Sequence, residues 1–289
     1  MARTRKGKRI YPEPGPSQCH PKTMTRKKEK LIGCLPSIVL KGVATSLGIH
    51  STPDTHPSSL LTQLSKSVGV SPSHQRTFLN ALPISKEVKE DLARSYLRPA
   101  QPNGWKDDPD MWLDTNNIVD VMKQYEESHE DFKFIGAIPI DFAAKDPYNG
   151  GKKDGCIINE TCSLNLAEEL ARGITSIGIV FNLDPHYKEG SHWVASYIST
   201  VKKHYYYFDS NGMKPPSQIY RFMQWLTIQE PRMKLFYNGR RFQFKESECG
   251  MFCMYFIIRM KMGDSFRKFV RQPPPDSYML DLRDHLYSD

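Results

Sequence analysis

The chain has 289 residues, a formal net charge of +8 and 39 % apolar residues, enough for one medium domain with a smaller companion. No apolar run approaches the ~20 residues of a membrane-spanning helix. The opening Met1-Ala2-Arg3-Thr4-Arg5-Lys6 has no hydrophobic stretch behind it, so a non-secreted protein without membrane contact is expected. Six cysteines in a chain of this length do not make a disulfide scaffold, and a reducing compartment is the simpler expectation.

In chain order, the first segment is an arm. Residues 1–30 carry ten Lys/Arg against Glu13 and Glu29, which accounts for the whole excess of positive charge. With Pro12, Pro14, Pro16 and Pro21 and few apolar side chains, it is expected to be a disordered basic arm suited to DNA or another polyanion, or to targeting. Residues 31–98 read as a small helical domain. Pro36 opens a first turn, Leu40, Val43, Ala44 and Leu47 recur at helical spacing, and Gly48 closes the helix. Beyond the Pro-containing segment 51–57, Leu60, Leu61, Leu64 and Val68 mark a second helix that stops at Gly69, and two more fall near Phe78–Leu82 and Val88–Leu97. Residues 99–108, with two prolines, Gly104 and two aspartates, read as a linker, and 109–289 as the body.

In the body, Ile118, Val121, Met122 and Tyr125 share one helical face, as do Ile219, Phe222, Met223 and Leu226. Strands are expected at Phe134–Ile140, Ile174–Leu183, Trp193–Val201, His204–Phe208 and Met233–Tyr237. Cys249–Met260, apolar all round, predicts a buried helix. Runs of strands with separate helices indicate an α+β fold.

The chemistry gathers at three places. In Gln243-Phe-Lys-Glu-Ser-Glu-Cys249-Gly250, a polar loop runs into the buried helix with a cysteine at the junction. Unpaired N–H groups and the helix dipole favour thiolate there, and Gly250 would let a substrate backbone approach. In Gly190-Ser191-His192-Trp193, the histidine opens an apolar strand that turns at Lys202-Lys203 and returns to Phe208-Asp209. A hairpin sets the start of one strand beside the end of the next, so Asp209 would orient His192, and the imidazolium would hold Cys249 as thiolate. Gln243 could donate to an oxyanion together with the Cys249 backbone N–H. His186 is the rival base but precedes the glycine turn, and Cys253 is expected to be buried and inert. Cys156 and Cys162 lack the two further ligands that zinc needs, so neither metal nor cofactor is expected.

The order His192-Trp193, Asp209, Gln243, then five residues to Cys249-Gly250 resembles the ubiquitin-like-protein protease clan, which includes SUMO proteases, the adenovirus protease and proteases of large DNA viruses. Trp112-Leu113-Asp114 before an amphipathic helix is similar to the stretch that opens the SUMO-protease domain. Asn182-Leu183-Asp184-Pro185-His186 and Phe208-Asp209-Ser210 with Pro215-Pro216 look most like the branch in large DNA viruses. The resemblance implies a papain-like fold in circularly rearranged order, cleavage after Gly-Gly, and clamping of the glycine pair by Trp112 and Trp193. It also implies viral capsid or core precursors as partners during virion maturation, in the host cytoplasm, viral factory or virion. Removal of ubiquitin or a ubiquitin-like modifier, and nucleic-acid binding through the arm, are the alternatives.

Overall fold

The computed structural model describes residues 11–24, 30–50, 55–146 and 155–289. Parts of the expected arm (1–10, 25–29), of the Pro-containing segment (51–54) and of the Gly/Lys/Asp-rich loop (147–154) lie outside the described residues.

A short hairpin, β1 (Leu31–Ile32) and β2 (Leu35–Pro36), turns at Gly33 and leads into α1 (Ser37–Ser46). Three helices follow: α2 (Pro57–Val68), α3 (Gln75–Ala81) and α4 (Lys86–Tyr96). Gly69 ends α2 in the left-handed region at φ 71°, and the Ser85 hydroxyl caps α4 by accepting from the Val88 N–H. Leu40, Leu60, Leu64, Phe78, Leu79 and Leu82 form their common core.

Residues 11–24 correct the expectation of a disordered arm. They run along the body through a series of bends, with Gly15 and Gln18 at positive φ, and finish in a short 3-10 turn, Pro21–Met24. Their order does not come from apolar burial, the quantity that composition reports. It comes from backbone carbonyls that accept hydrogen bonds from the body and from a disulfide between Cys19 and Cys34. Residues 99–108 are also pinned: Gln101 N–H donates to Ser288 O (2.9 Å), and Trp105 is buried edge-on to Tyr287.

In the body, α5 (Thr115–Ser128) starts from a reciprocal capping box between Asp114 and Asn117. Five strands follow: β3 (Phe132–Pro139), β4 (Ser176–Asn182), β5 (Trp193–Ser199), β6 (His204–Phe208) and β7 (Lys234–Tyr237). They form one mixed sheet in the order β3-β4-β5-β6-β7, parallel at both outer pairs and antiparallel within. The short helices α6 (Asn159–Cys162) and α7 (Leu166–Ala171) lie between β3 and β4, and α8 (Ser217–Gln229) between β6 and β7. After β7 come α9 (Cys249–Lys261), α10 (Phe266–Arg271), α11 (Asp276–Asp281) and α12 (Arg283–Leu286).

The pleat sorts the side chains into two cores. Trp193, Ala195 and Tyr197 of β5 face α5 and α9, while Val194 and Ile198 face the α8 side. Buried on both faces, β4 and β5 read as continuous apolar runs, and α9 is buried from Cys249 to Met260 because sheet, α5 and the C-terminal helices surround it. The architecture is α+β with a mixed central sheet, as expected from the pattern of runs.

The cysteines depart from the expectation of free thiols. Cys19 pairs with Cys34, and Cys156 with Cys162, leaving Cys249 and Cys253 free. Folding of residues 11–24 over the β1–β2 hairpin brings Cys19 to Cys34, a juxtaposition hidden when the arm is read as disordered.

Candidate active site

The predicted hairpin is β5–β6. Its register pairs Ala195 with Phe208. Carried past the strand ends, that register sets Asn211 opposite His192, with Asp209 at the diagonal position on the same face. The side chains meet accordingly: His192 Nε2 lies 2.7 Å from Asp209 Oδ1 and 3.3 Å from Asn211 Nδ2.

Each partner is held in turn. Asp209 Oδ1 accepts the Asn211 N–H (2.8 Å), and the Asp209 main chain is gripped from both sides by the Asn238 amide at 2.9 and 2.7 Å. Asn238 arrives there because β7 runs parallel to β6, with Tyr237 paired to Tyr207. On the other flank, the His192 carbonyl accepts the Leu183 N–H (2.9 Å), and Asn182 Oδ1 accepts from the N–H groups of Asp184 and Ser191. Gly190 (φ 100°) is required in this turn, since a Cβ there would stand 2.1 Å from the Asn182 amide nitrogen.

With Nε2 on the carboxylate, Nδ1 is the ring nitrogen left for Cys249, the first residue of α9, whose thiol lies near enough to act on the charge of the ring. Burial opposes charge on this ring. The hydrogen bonds of Asp209 and Cys249, with the charges of both, outweigh it and push the His192 pKa up from 6.5 to about 9. The first N–H groups of α9, including that of Cys249, have no partner within the helix. Cys253, one turn deeper, is fully buried; burial first, then the nearby Cys249 and Asp209, raises its thiol well above the usual range. It sits as the sequence leads one to expect.

Gln243 reaches the same end of the hairpin by a close crossing. The N–H groups of Phe242 and Gln243 both donate to Ser210 O, at 2.7 and 3.0 Å, directly over Gly212 (φ 75°). A Cβ at Gly212 would lie 2.7 Å from the Arg240 carbonyl carbon. The buried Gln243 amide accepts from the Ser210 hydroxyl and donates one N–H to Lys245 O, each at 2.7 Å. Its orientation is thereby set, with the second amide N–H left over.

The Trp193 indole N–H donates to Leu113 O (2.9 Å), tying β5 to the segment that carries Trp112; Trp193 is buried, Trp112 44 % exposed. Gly250 departs from its expected role. A Cβ there would fall 3.0 Å from Leu113 Cδ1 and 3.4 Å from Ile118 Cδ1, so the missing side chain makes room for Leu113 rather than for a substrate backbone. The rival base, His186, lies in the loop and hydrogen-bonds Asp141 (2.7 Å).

Sequence reasoning missed Asn211, Asn238 and a buried ion pair. Glu248, the residue before Cys249, has both carboxylate oxygens on Arg283, at 2.8 and 3.3 Å. Arg283 also donates to Met111 O (2.8 Å) and stacks over Trp105. A buried acid beside the thiol is a signal in the sequence; its partner in the unread C-terminal segment is not. Among the described residues no cluster of His, Cys, Asp or Glu could hold a metal ion, and no helix is long and apolar enough to cross a membrane.

A cysteine opening a buried helix, with a histidine nearby that a carboxylate holds at a sheet end, is the kind of arrangement that nucleophilic thiol chemistry needs. No family model matches the chain. It is 31 % identical over 189 residues to the candidate thiol protease R355 of Acanthamoeba polyphaga mimivirus, covering 64 % of this chain and 58 % of that one. It is 28 % identical over 123 residues to the SUMO-1 cysteine protease of African swine fever virus (isolate Pig/Kenya/KEN-50/1950), covering 40 % of this chain and 45 % of that one. The matches thus span 58 % and 45 % of these curated relatives' own length. The fold is shared with the crystal structure of the African swine fever virus protease, at TM-score 0.61 and 18 % identity over 96 % of this chain and 97 % of that one. The chain is thus similar in sequence to thiol and cysteine proteases of large DNA viruses, and it shares the fold of one of them.

Proposed function

We propose that the chain is a cysteine endopeptidase that cleaves viral capsid or core precursors after Gly-Gly during virion maturation. The observation that carries this reading is the His192 ring held between Asp209 and Cys249, with its pKa pushed up to about 9. Cys249 Sγ attacks the scissile carbonyl, and its proton resides on His192. The oxyanion is met by the Cys249 N–H and the free N–H of Gln243. The C–N bond breaks as His192 gives its proton to the leaving amine, and water, deprotonated by the same ring, releases the acyl group. Trp112 and Trp193 flank the narrow substrate backbone: flat indoles leave no room for side chains at the glycine pair. The papain-like arrangement in rearranged chain order belongs to the same reading, as does action in the host cytoplasm, viral factory or virion, with the basic residues of the 1–30 arm as a tether to DNA.

The test is cleavage of a Gly-Gly-X peptide by the wild-type chain and by Cys249→Ala. Turnover by the first and none by the second is expected; undiminished cleavage by Cys249→Ala refutes the mechanism. A second reading, removal of a ubiquitin-like modifier, draws on the name of the SUMO-1 cysteine protease of African swine fever virus. A strong preference for a ubiquitin-like fusion over the short peptide would select it.

A further inference from the structure

Six consecutive backbone carbonyls, from Tyr11 to Pro16, each accept a hydrogen bond from a side chain of the body. Tyr278 donates its hydroxyl to Tyr11 O and Pro12 O (3.4 and 3.2 Å), and Tyr255 donates to Pro12 O (2.9 Å). Arg259 Nη1 donates to Glu13 O (2.9 Å) and the Tyr125 hydroxyl to Pro14 O. His285 Nε2 donates to Gly15 O (2.7 Å), and Arg98 reaches Pro16 O through Nε and Nη2 (3.3 and 3.1 Å). The donors come from α5, α9, α11, α12 and the end of the helical part, so folding of the whole body assembles this row.

The row and its occupant match in chemistry. The groove offers hydroxyl, guanidinium and imidazole donors, and Pro12, Pro14 and Pro16 offer carbonyls with no N–H of their own. A segment with an amide at every position would bring donors to a wall that already supplies them. Gly15 is at φ 124°, and a Cβ there would lie 3.3 Å from both Arg98 Nη2 and the Tyr125 hydroxyl. The Tyr11 ring packs on Tyr278 at 5.1 Å between centroids, and its hydroxyl donates to Pro273 O (3.2 Å).

We infer that this groove is a peptide-binding site for a bent segment of the form aromatic-Pro-x-Pro-Gly-Pro, and that residues 11–16 are its ligand in cis. The site reads carbonyl positions, proline's missing N–H and one obligatory glycine. Tyr255 and Arg259 lie on α9, so occupancy of the groove braces the helix that begins with Cys249.

The test uses the full chain. Gly15→Ala strains the resident segment and should vacate the groove. A fluorescein-labelled peptide of residues 11–18 then binds saturably to the Gly15→Ala chain, about tenfold tighter than to the wild-type chain, given the strain at that backbone position. Adding Tyr255→Phe, which removes one hydroxyl donor, weakens the peptide about fivefold. Amide exchange at Glu13 and along α9 speeds up in Gly15→Ala and slows again when the peptide is added. Binding no tighter than that of a scrambled peptide overturns the inference, and so does exchange in Gly15→Ala that matches the wild type. Saturable binding by a chain that cleaves nothing supports the groove and counts against the protease reading alone.

Discussion

Near neutral pH the His192 ring carries its proton, because the cost of burying the charge is outweighed by Asp209 and Cys249 together, which lift its pKa to about 9. A folded-state pKa above the ordinary 6.5 stabilises the fold fully below about 6.5, and that contribution is lost as pH rises through about 9. In the proposed reaction the same ionisation supplies the proton for the leaving amine. The alkaline limb of kcat/KM should therefore fall near 9, and in Asp209→Asn, which removes the largest upward influence on the ring, it should move to lower pH. A pH–rate profile checks this, and a limb that stays in place would remove Asp209 from the chemistry. Gln243 lends itself to a different measurement. Ser210 and Lys245 already fix its orientation, so Gln243→Ala deletes a preorganised donor and should lower kcat by roughly 10²–10³ with little change in KM. A change confined to KM would show that the amide binds substrate but not the transition state.

At the scale of elements, much of the site follows from period and punctuation. The β5–β6 hairpin was legible from two apolar runs around Lys202-Lys203, and α9 from an apolar stretch opened by a polar loop. Local pattern does not carry partners brought from far along the chain. Asn238 reaches Asp209 through the parallel pairing of β7 with β6, and Gly250 meets Leu113, which precedes it by 137 positions in the numbering. Helices α10, α11 and α12 are too short for a clear period, and Arg283 lies among them. Arg283 matters because Glu248 places a buried carboxylate one residue before Cys249, where its charge would oppose a thiolate. The bidentate contact with Arg283 cancels that charge and ties the start of α9 to α12 and to Met111. Arg283→Met strands the carboxylate and should cost about 3–5 kcal/mol in urea unfolding. Adding Glu248→Leu should recover much of the loss. A single variant as stable as the wild type would mean that water already neutralises Glu248.

At the scale of the whole molecule, the N-terminal segment is clamped at both ends, by the carbonyl row at Tyr11–Pro16 and by the Cys19–Cys34 disulfide. Just past that disulfide, the His20 N–H donates to Tyr96 O (2.8 Å), so the segment joins the body to the helical part. Loop-closure entropy ranks the two disulfides. Cys19–Cys34 spans 15 positions and should contribute about 3 kcal/mol by constraining the unfolded chain, and Cys156–Cys162, spanning six, about 2 kcal/mol. Urea unfolding with and without dithiothreitol should therefore show a lower midpoint in the reduced protein. Cys19→Ser should reproduce the larger share of that shift under non-reducing conditions, because it releases the segment that bridges the two parts of the molecule. A midpoint indifferent to reductant would mean that the thiols stay unpaired in solution. The hydrogen bonds of the carbonyl row and of Gln18 and His20 would then have to hold residues 11–24 in place without a covalent link, and the reducing compartment expected from cysteine number would stand.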